Sequence, residues 1–104
     1  MSRIFKDDFG HELRVDVARD LTGAITSKIL VEKPSGVKVD WLAAIADPPT
    51  SGILLYTTKP GDLNMAGTYK CHAYIEYGVG QTVVSRYKGE LFVFKVFEKF
   101  DIRQ

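Results

Sequence analysis

Few side chains in this sequence could do chemistry. The candidates are two histidines, one cysteine and a scatter of carboxylates. A zinc site needs two cysteines or a further histidine within a few residues. His11 follows Gly10 and His72 follows Cys71, and neither has such a ligand at useful spacing. A thiol nucleophile needs a base within reach. Neighbouring side chains of a strand point to opposite faces, which separates His72 from Cys71. Asp7, Asp8, Glu12 and Asp16 form an acidic cluster that could in principle perform acid–base work or hold calcium. No stretch of the chain supplies the alternating oxygen ligands and turn glycine of a calcium loop, so a solvated acidic face is the simpler reading. Gly78 and Gly80 precede neither a helix nor a Lys-Ser/Thr pair, so they are not a phosphate cradle. No catalytic residue, metal ligand or cofactor is expected.

Aromatic stacking is the remaining chemistry. Tyr74, Tyr77 and Tyr87, interleaved with Lys70, Arg86 and Lys88, could stack against sugar rings or unpaired bases. The same residues also make the cross-strand aromatic and charge pairs that stabilise any solvent-facing sheet.

These side chains must be positioned by strands, because helix signals are nearly absent. Short β-branched and aromatic runs recur between glycine, proline and asparagine clusters, the rhythm of an all-β sandwich. Leu13, Val15 and Val17 alternate with Glu12, Arg14 and Asp16 as a half-buried strand. After a turn over Asp20 to Ala24, the stretch Ile25 to Glu32 reads as a strand with Ile25, Ile29 and Val31 inward. Lys33-Pro34-Ser35-Gly36 is a tight turn, since proline presets φ early and glycine accepts positive φ late. Val37, Val39 and Trp41 alternate on the next strand, which Leu42 to Ala46 is expected to continue. The prolines of Asp47 to Gly52 lack ladder donors and mark a loop. Ile53 to Thr58 follows as a strand, with a turn near Leu63.

The cleanest alternation puts Tyr69, Cys71, Ala73, Ile75 and Tyr77 on one face and Lys70, His72, Tyr74 and Glu76 on the other. Gly78-Val79-Gly80 is expected to be a hairpin tip before Gln81 to Tyr87, with a bend at Gly89. Leu91 to Phe97 is apolar on both faces and asks for burial on both sides, partly beneath Ile4, Phe5 and Phe9. The surplus of apolar residues at the two ends, with Phe97, Phe100 and Ile102, points to an interface with another chain.

Bulk properties narrow the setting. A chain of 104 residues suits one domain, here 1–104. Fourteen basic side chains against thirteen acidic ones leave no global field for nucleic acid or an anionic membrane, while weak net charge favours self-association. Acidic residues at Asp7 and Asp8 interrupt the start where a signal peptide needs an apolar run, and no segment is long and apolar enough to span a bilayer. One cysteine cannot form an internal disulfide, which favours folding in a reducing cytoplasm.

Asp62 to Cys71 joins a turn, a small-residue corner and a tyrosine two positions before a cysteine. Immunoglobulin-like sandwiches enter a core strand this way, with the tyrosine hydroxyl bonded to backbone a few residues upstream and a core tryptophan earlier in the chain. Trp41, Tyr69 and Cys71 are therefore the fold-defining residues, in an antiparallel immunoglobulin-like sandwich of about seven to eight strands without a disulfide. Cys71 acts as packing material against an apolar partner such as Ile29.

Together, Asp20-Leu21-Thr22-Gly23-Ala24, Lys33-Pro34-Ser35-Gly36, Trp41, the run from Gly52 to Thr58 and the run from Gly61 to Tyr69 resemble immunoglobulin-like structural proteins of tailed bacteriophages. The similarity is to the N-terminal domains of phage baseplate upper proteins and covers about residues 12 to 77. It implies a non-enzymatic virion component that folds in the host cytoplasm, contacts other virion proteins and assembles as a homo-oligomer in symmetric copies, with no nucleic acid or membrane partner. Baseplate upper proteins continue into further domains whereas this chain ends at Gln104, so a stand-alone baseplate, neck or capsid-decorating protein is expected. The assembly interface is expected at Ile4, Phe5, Phe9, Phe97, Phe100 and Ile102. The alternative is a carbohydrate-binding module that uses the three tyrosines to attach particles to the host surface.

Overall fold

Alternating inward and outward side chains build two layers of sheet, antiparallel except for one short parallel pair. A computed structural model of the protein describes residues 3–98. Its strands are β1 (Ile4–Phe5), β2 (Glu12–Asp16), β3 (Ala24–Glu32), β4 (Lys38–Leu42), β5 (Ala44–Ile45), β6 (Ile53–Thr57), β7 (Gly67–Val79), β8 (Thr82–Lys88) and β9 (Phe92–Phe97). One sheet has the order β1-β9-β7-β3-β4, with β8 also paired to β7, and the other has the order β2-β6-β5. Strand β7 is the axis of the larger sheet. Its first half pairs with β9 and its second half with β8, while β3 runs along its other side. Nine strands among the described residues exceed the expected seven to eight, because the short β1 and β5 are too brief to show periodicity.

The core lies between the layers. Ile29, Val31, Trp41, Tyr56, Leu63 and Tyr69 are buried in its larger part, and Val17, Leu21, Leu54, Ala73 and Ile75 in the smaller. Trp41 on β4 stacks on Tyr56 of β6 at 4.9 Å and 10°, so one aromatic pair ties the two sheets. Cys71 is buried and unpaired by any disulfide. The register places Val31 opposite Cys71, while Ile29 faces Ala73 and Trp41 across its two ladders, one step away from the expected neighbour.

Burial pushes the Cys71 thiol up to about 12 from a reference of 9.0. The folded thiol thus keeps its proton where the unfolded one loses it, so this contribution to stability is complete below pH 9 and is lost as pH rises toward 12. Burial likewise raises Tyr56 and Tyr69 above their reference of 10.0 and adds to the alkaline loss. Denaturant midpoints should accordingly fall from pH 9 upward, and a thiol reagent at pH 8 should label Cys71 only at the rate of unfolding. Prompt stoichiometric labelling of the native protein would show the thiol to be accessible.

Four local expectations are corrected. Ile25 is exposed, because the β3–β7 register slips between Ala24 and Thr26 and the extra residue bulges out of the alternation. Leu42 to Ala46 does not continue one strand: Ala43 is pinned to Ser27 by its N–H (3.1 Å) and by the serine hydroxyl on its carbonyl (2.7 Å), and the chain then crosses to pair β5 with β6. Gly78 lies inside β7 rather than at a tip. A Cβ there would sit 2.0 Å from the Thr82 carbonyl oxygen, so this register shift admits only glycine. Finally, β9 turns Phe92, Phe94 and Val96 toward the core, while Leu91 before it and Val93 on its other face stay exposed.

Candidate docking surface

The expected interface residues divide into three groups. Ile4 packs against the larger core cluster, and β1 lies parallel to β9 with Ile4 opposite Val96 and Phe5 opposite Phe97. The rings of Phe5 and Phe97 meet at 6.4 Å, with the Arg3 guanidinium 4.8 Å and the Lys95 ammonium 5.1 Å from the Phe97 ring centre. These three apolar side chains therefore have partners within the chain. Phe100 and Ile102 lie outside the described residues. Phe9 stands apart, with 62 % of its surface exposed.

The loop that carries Phe9 is built rather than slack. Asp7 N–H donates to Leu63 O (2.8 Å), Asp8 N–H to Phe5 O (3.0 Å) and Gly10 N–H to Thr58 O (2.8 Å). The Asp8 carboxylate accepts the Phe5 N–H (2.9 Å) and lies 3.3 Å from His11 Nε2, and His11 N–H donates to the Thr58 hydroxyl (3.0 Å). Gly10 takes φ +85°, which glycine alone adopts without strain. Part of the acidic cluster thus organises turns: Asp8 closes this loop, and Asp16 accepts the Ala18 N–H at 2.9 Å.

The outer face of the larger sheet is basic. Lys28 pairs with Asp40 (3.0 Å) and Arg86 with Glu76 (3.4 Å). Lys38, Lys70 and Lys88 make no ion pair among the described residues, though Glu32 stands opposite both Lys38 and Lys70 in the register. They rim a groove of about 430 Å³ floored by Leu30, His72 and Leu91. His72 is held there by its Nδ1–H, which donates to Gly89 O at 2.9 Å. A second hollow of about 540 Å³ opens between the end of β2 and the β8–β9 connection, over Ala73, Tyr87 and Phe92. Sequence reasoning missed the first groove. The outward alternation of Lys70 and His72 was visible, but their meeting with Leu30, Lys38 and Leu91 depends on the register of separate strands.

The three tyrosines are not brought to one surface. Tyr74 faces outward, with its hydroxyl donating to Glu76 (2.9 Å), a bond that lowers the carboxylate pKa, and with the Lys28 ammonium 5.2 Å from its ring. Tyr77 and Tyr87 turn to the other face, pack on the smaller core cluster and lie under the Arg19 guanidinium at 5.7 and 4.0 Å. The alternation of β7 itself separates Tyr74 from Tyr77, as the sequence pattern predicts. Among the described residues, no group of three or more His, Cys, Asp or Glu is placed to hold a metal ion.

Around the remaining motif, Tyr69 is fully buried, stacks on Phe94 at 5.1 Å, donates its hydroxyl to Met65 O (2.8 Å) and accepts the Met65 N–H (3.2 Å). The same corner is braced by Asp62, which accepts both the Tyr56 hydroxyl and the Lys59 N–H, and by buried Lys33, whose ammonium donates to Asn64 Oδ1 at 2.9 Å.

Comparison with known proteins agrees with this architecture. The family model for the BppU N-terminal domain matches residues 16–97, extending through β9 and beyond the stretch over which the sequence resemblance was read. No curated protein and no solved structure matches the chain. With a tyrosine-cornered, disulfide-free sandwich and a family match over most of its length, the chain belongs to the N-terminal domain family of phage baseplate upper proteins and is a structural protein of the phage baseplate.

Proposed function

We infer that copies of this chain assemble symmetrically in the baseplate, each acting as one immunoglobulin-like domain that folds in the host cytoplasm and docks onto other virion proteins through its apolar end segments. Family membership supports the baseplate role. The observation that supports the docking route is Phe9, a large aromatic left 62 % exposed on a loop tied down by backbone hydrogen bonds at Asp7, Asp8 and Gly10. An exposed ring on a preordered loop gains apolar burial on docking without a large ordering cost. Phe100 and Ile102 extend the apolar character at the other end of the sequence.

Removing residues 98–104 tests the reading. The shortened chain should keep its circular dichroism and melting temperature, yet show a lower light-scattering mass or fail to enter particles. Unchanged mass together with unchanged incorporation would exclude the terminal route.

A further inference from the structure

We propose that residues 99–103 of one copy add as a strand to the free edge of β2 in a second copy. The proposal rests on the reading that copies associate through their end segments, and it names the surface one of those segments reaches.

Strand β2 ends the smaller sheet, with β6 on one side and no strand on the other among the described residues. The Val17 N–H reaches Gly52 O (2.7 Å) and the Thr58 N–H reaches His11 O (2.9 Å), so Leu13 and Val15 between them direct their backbone groups to β6. Antiparallel pairing alternates, and the N–H and C=O groups of Glu12, Arg14 and Asp16 therefore face the open side. An unpaired edge of this kind is a template for a strand from another chain. Beside it opens the hollow of about 540 Å³ lined by both sheets, over Val15, Ala73 and Phe92.

The side chains of β2 define what fits. Glu12, Arg14 and Asp16 are exposed, while Leu13 and Val15 turn toward the core. Across β6 the exposed three face Thr57, Leu55 and Ile53, so the ladder does not neutralise them, and they make no ion pair among the described residues. Asp16 accepts the Ala18 N–H, which leaves its charge in place. Residues 99–103 lie outside the described residues and read Lys-Phe-Asp-Ile-Arg. Laid antiparallel to β2, they set Lys99 against Asp16, Asp101 against Arg14 and Arg103 against Glu12, with Phe100 beside Val15 at the hollow and Ile102 beside Leu13. Every outward pair is of opposite charge and every inward pair is apolar, the two kinds of cross-strand pair that stabilise a sheet. Sliding the strand by two residues puts Arg103 against Arg14 and Asp101 against Asp16, and sliding it by one exchanges its faces. The charges also match in the parallel sense, with the same central pair, and the antiparallel ladders of β2, β6 and β5 select the sense proposed.

Reach argues for a second copy as the donor. Strand β9 ends at Phe97 in the larger sheet, where the Phe97 carbonyl accepts the Lys6 N–H (2.8 Å). Lys99 follows at most ~7 Å further along the chain, whereas the layers of a sandwich stand ~10 Å apart. Asp16 lies farther still, lining the hollow with Phe92 at the opposite end of β9, a strand length of ~17 Å away. The segment and the edge are different patches, so the contact is heterologous and closes by exchange between two copies or around a ring.

Sedimentation velocity of the purified chain, beside the chain lacking residues 98–104, tests this. Wild type should form assemblies larger than a monomer. Phe100→Ser with Ile102→Ser should associate at least about 30-fold more weakly, the effect of losing one interface hot spot. Arg14→Glu and Asp101→Lys should each weaken association about 3- to 10-fold, and the chain carrying both should regain it, because the central pair is then reversed but still opposite in charge. Arg14 is exposed, so its replacement should leave circular dichroism unchanged. A synthetic peptide of residues 98–104 should dissociate the assemblies, whereas the same peptide N-methylated at Asp101 should not, since it keeps every side chain and loses a ladder donor. A deletion that lowers the mass, with neither charge rescue nor peptide competition, overturns the β2 contact and leaves docking through the end segments standing. Wild type that is monomeric throughout, or a mass unchanged by the deletion, overturns both.

Discussion

Replacing Trp41 by alanine is expected to lower the unfolding free energy by about 3–5 kcal/mol, the range for deleting a large buried aromatic. The ring is only 4 % exposed and lies between layers, stacked on Tyr56 at 4.9 Å and tilted against Phe94 at 6.4 Å. Its neighbours cannot readily collapse into the vacancy. Tyr56 is tethered by its hydroxyl to Asp62, and Phe94 is stacked on Tyr69. Against a typical domain stability of about 5–15 kcal/mol, such a loss threatens folding at physiological temperature. The measurement is a denaturant midpoint with the slope compared, since a lower midpoint at equal slope reports stability alone. Trp41→Phe should recover much of the loss by keeping an aromatic face on Tyr56. A near-wild-type midpoint for the alanine variant would show that the indole does not bridge the sheets.

Tyr69→Ala should cost about as much, roughly 3–5 kcal/mol, because it deletes a fully buried ring stacked on Phe94. Tyr69→Phe isolates the corner. It keeps the ring but leaves the Met65 N–H and carbonyl without their partner, at a cost of about 1–3 kcal/mol. The smaller change has the more informative consequence. Residues 61–65 also receive the Asp7 N–H at Leu63 O, so loosening the corner should loosen the loop that presents Phe9. Amide exchange should therefore rise at Met65 and at Asp7 in Tyr69→Phe. Faster exchange at Met65 alone would disconnect the corner from the Phe9 loop.

This coupling links a fold motif to the loop that carries Phe9. The corner hydrogen bond holds the turn before β7, the turn holds the N-terminal loop, and the loop holds an aromatic ring in solvent. An interface anchor on a rigid support loses little freedom when it docks.

The sequence by itself determined the features whose cause is local. The alternation from Tyr69 to Tyr77 follows from the two-residue period of a strand, the Pro34–Gly36 turn from the φ preferences of those residues, and the missing disulfide from a single cysteine. The tyrosine corner was legible because its donor and acceptor are four residues apart. Tertiary structure alone decided what depends on partners distant in the chain. The crossing at Ala43 needs β6 to receive β5, and the bulge at Ile25 needs β7 to set the register. The packing of Ile4, Phe5 and Phe97 within the chain became visible only with β1 lying along β9, and Phe9 is the exposed member of that set among the described residues. The groove beneath Lys38, Lys70 and Lys88 likewise exists only because separate strands align in register. A side chain's face follows from its immediate neighbours, but its partners are chosen by the packing of the whole chain.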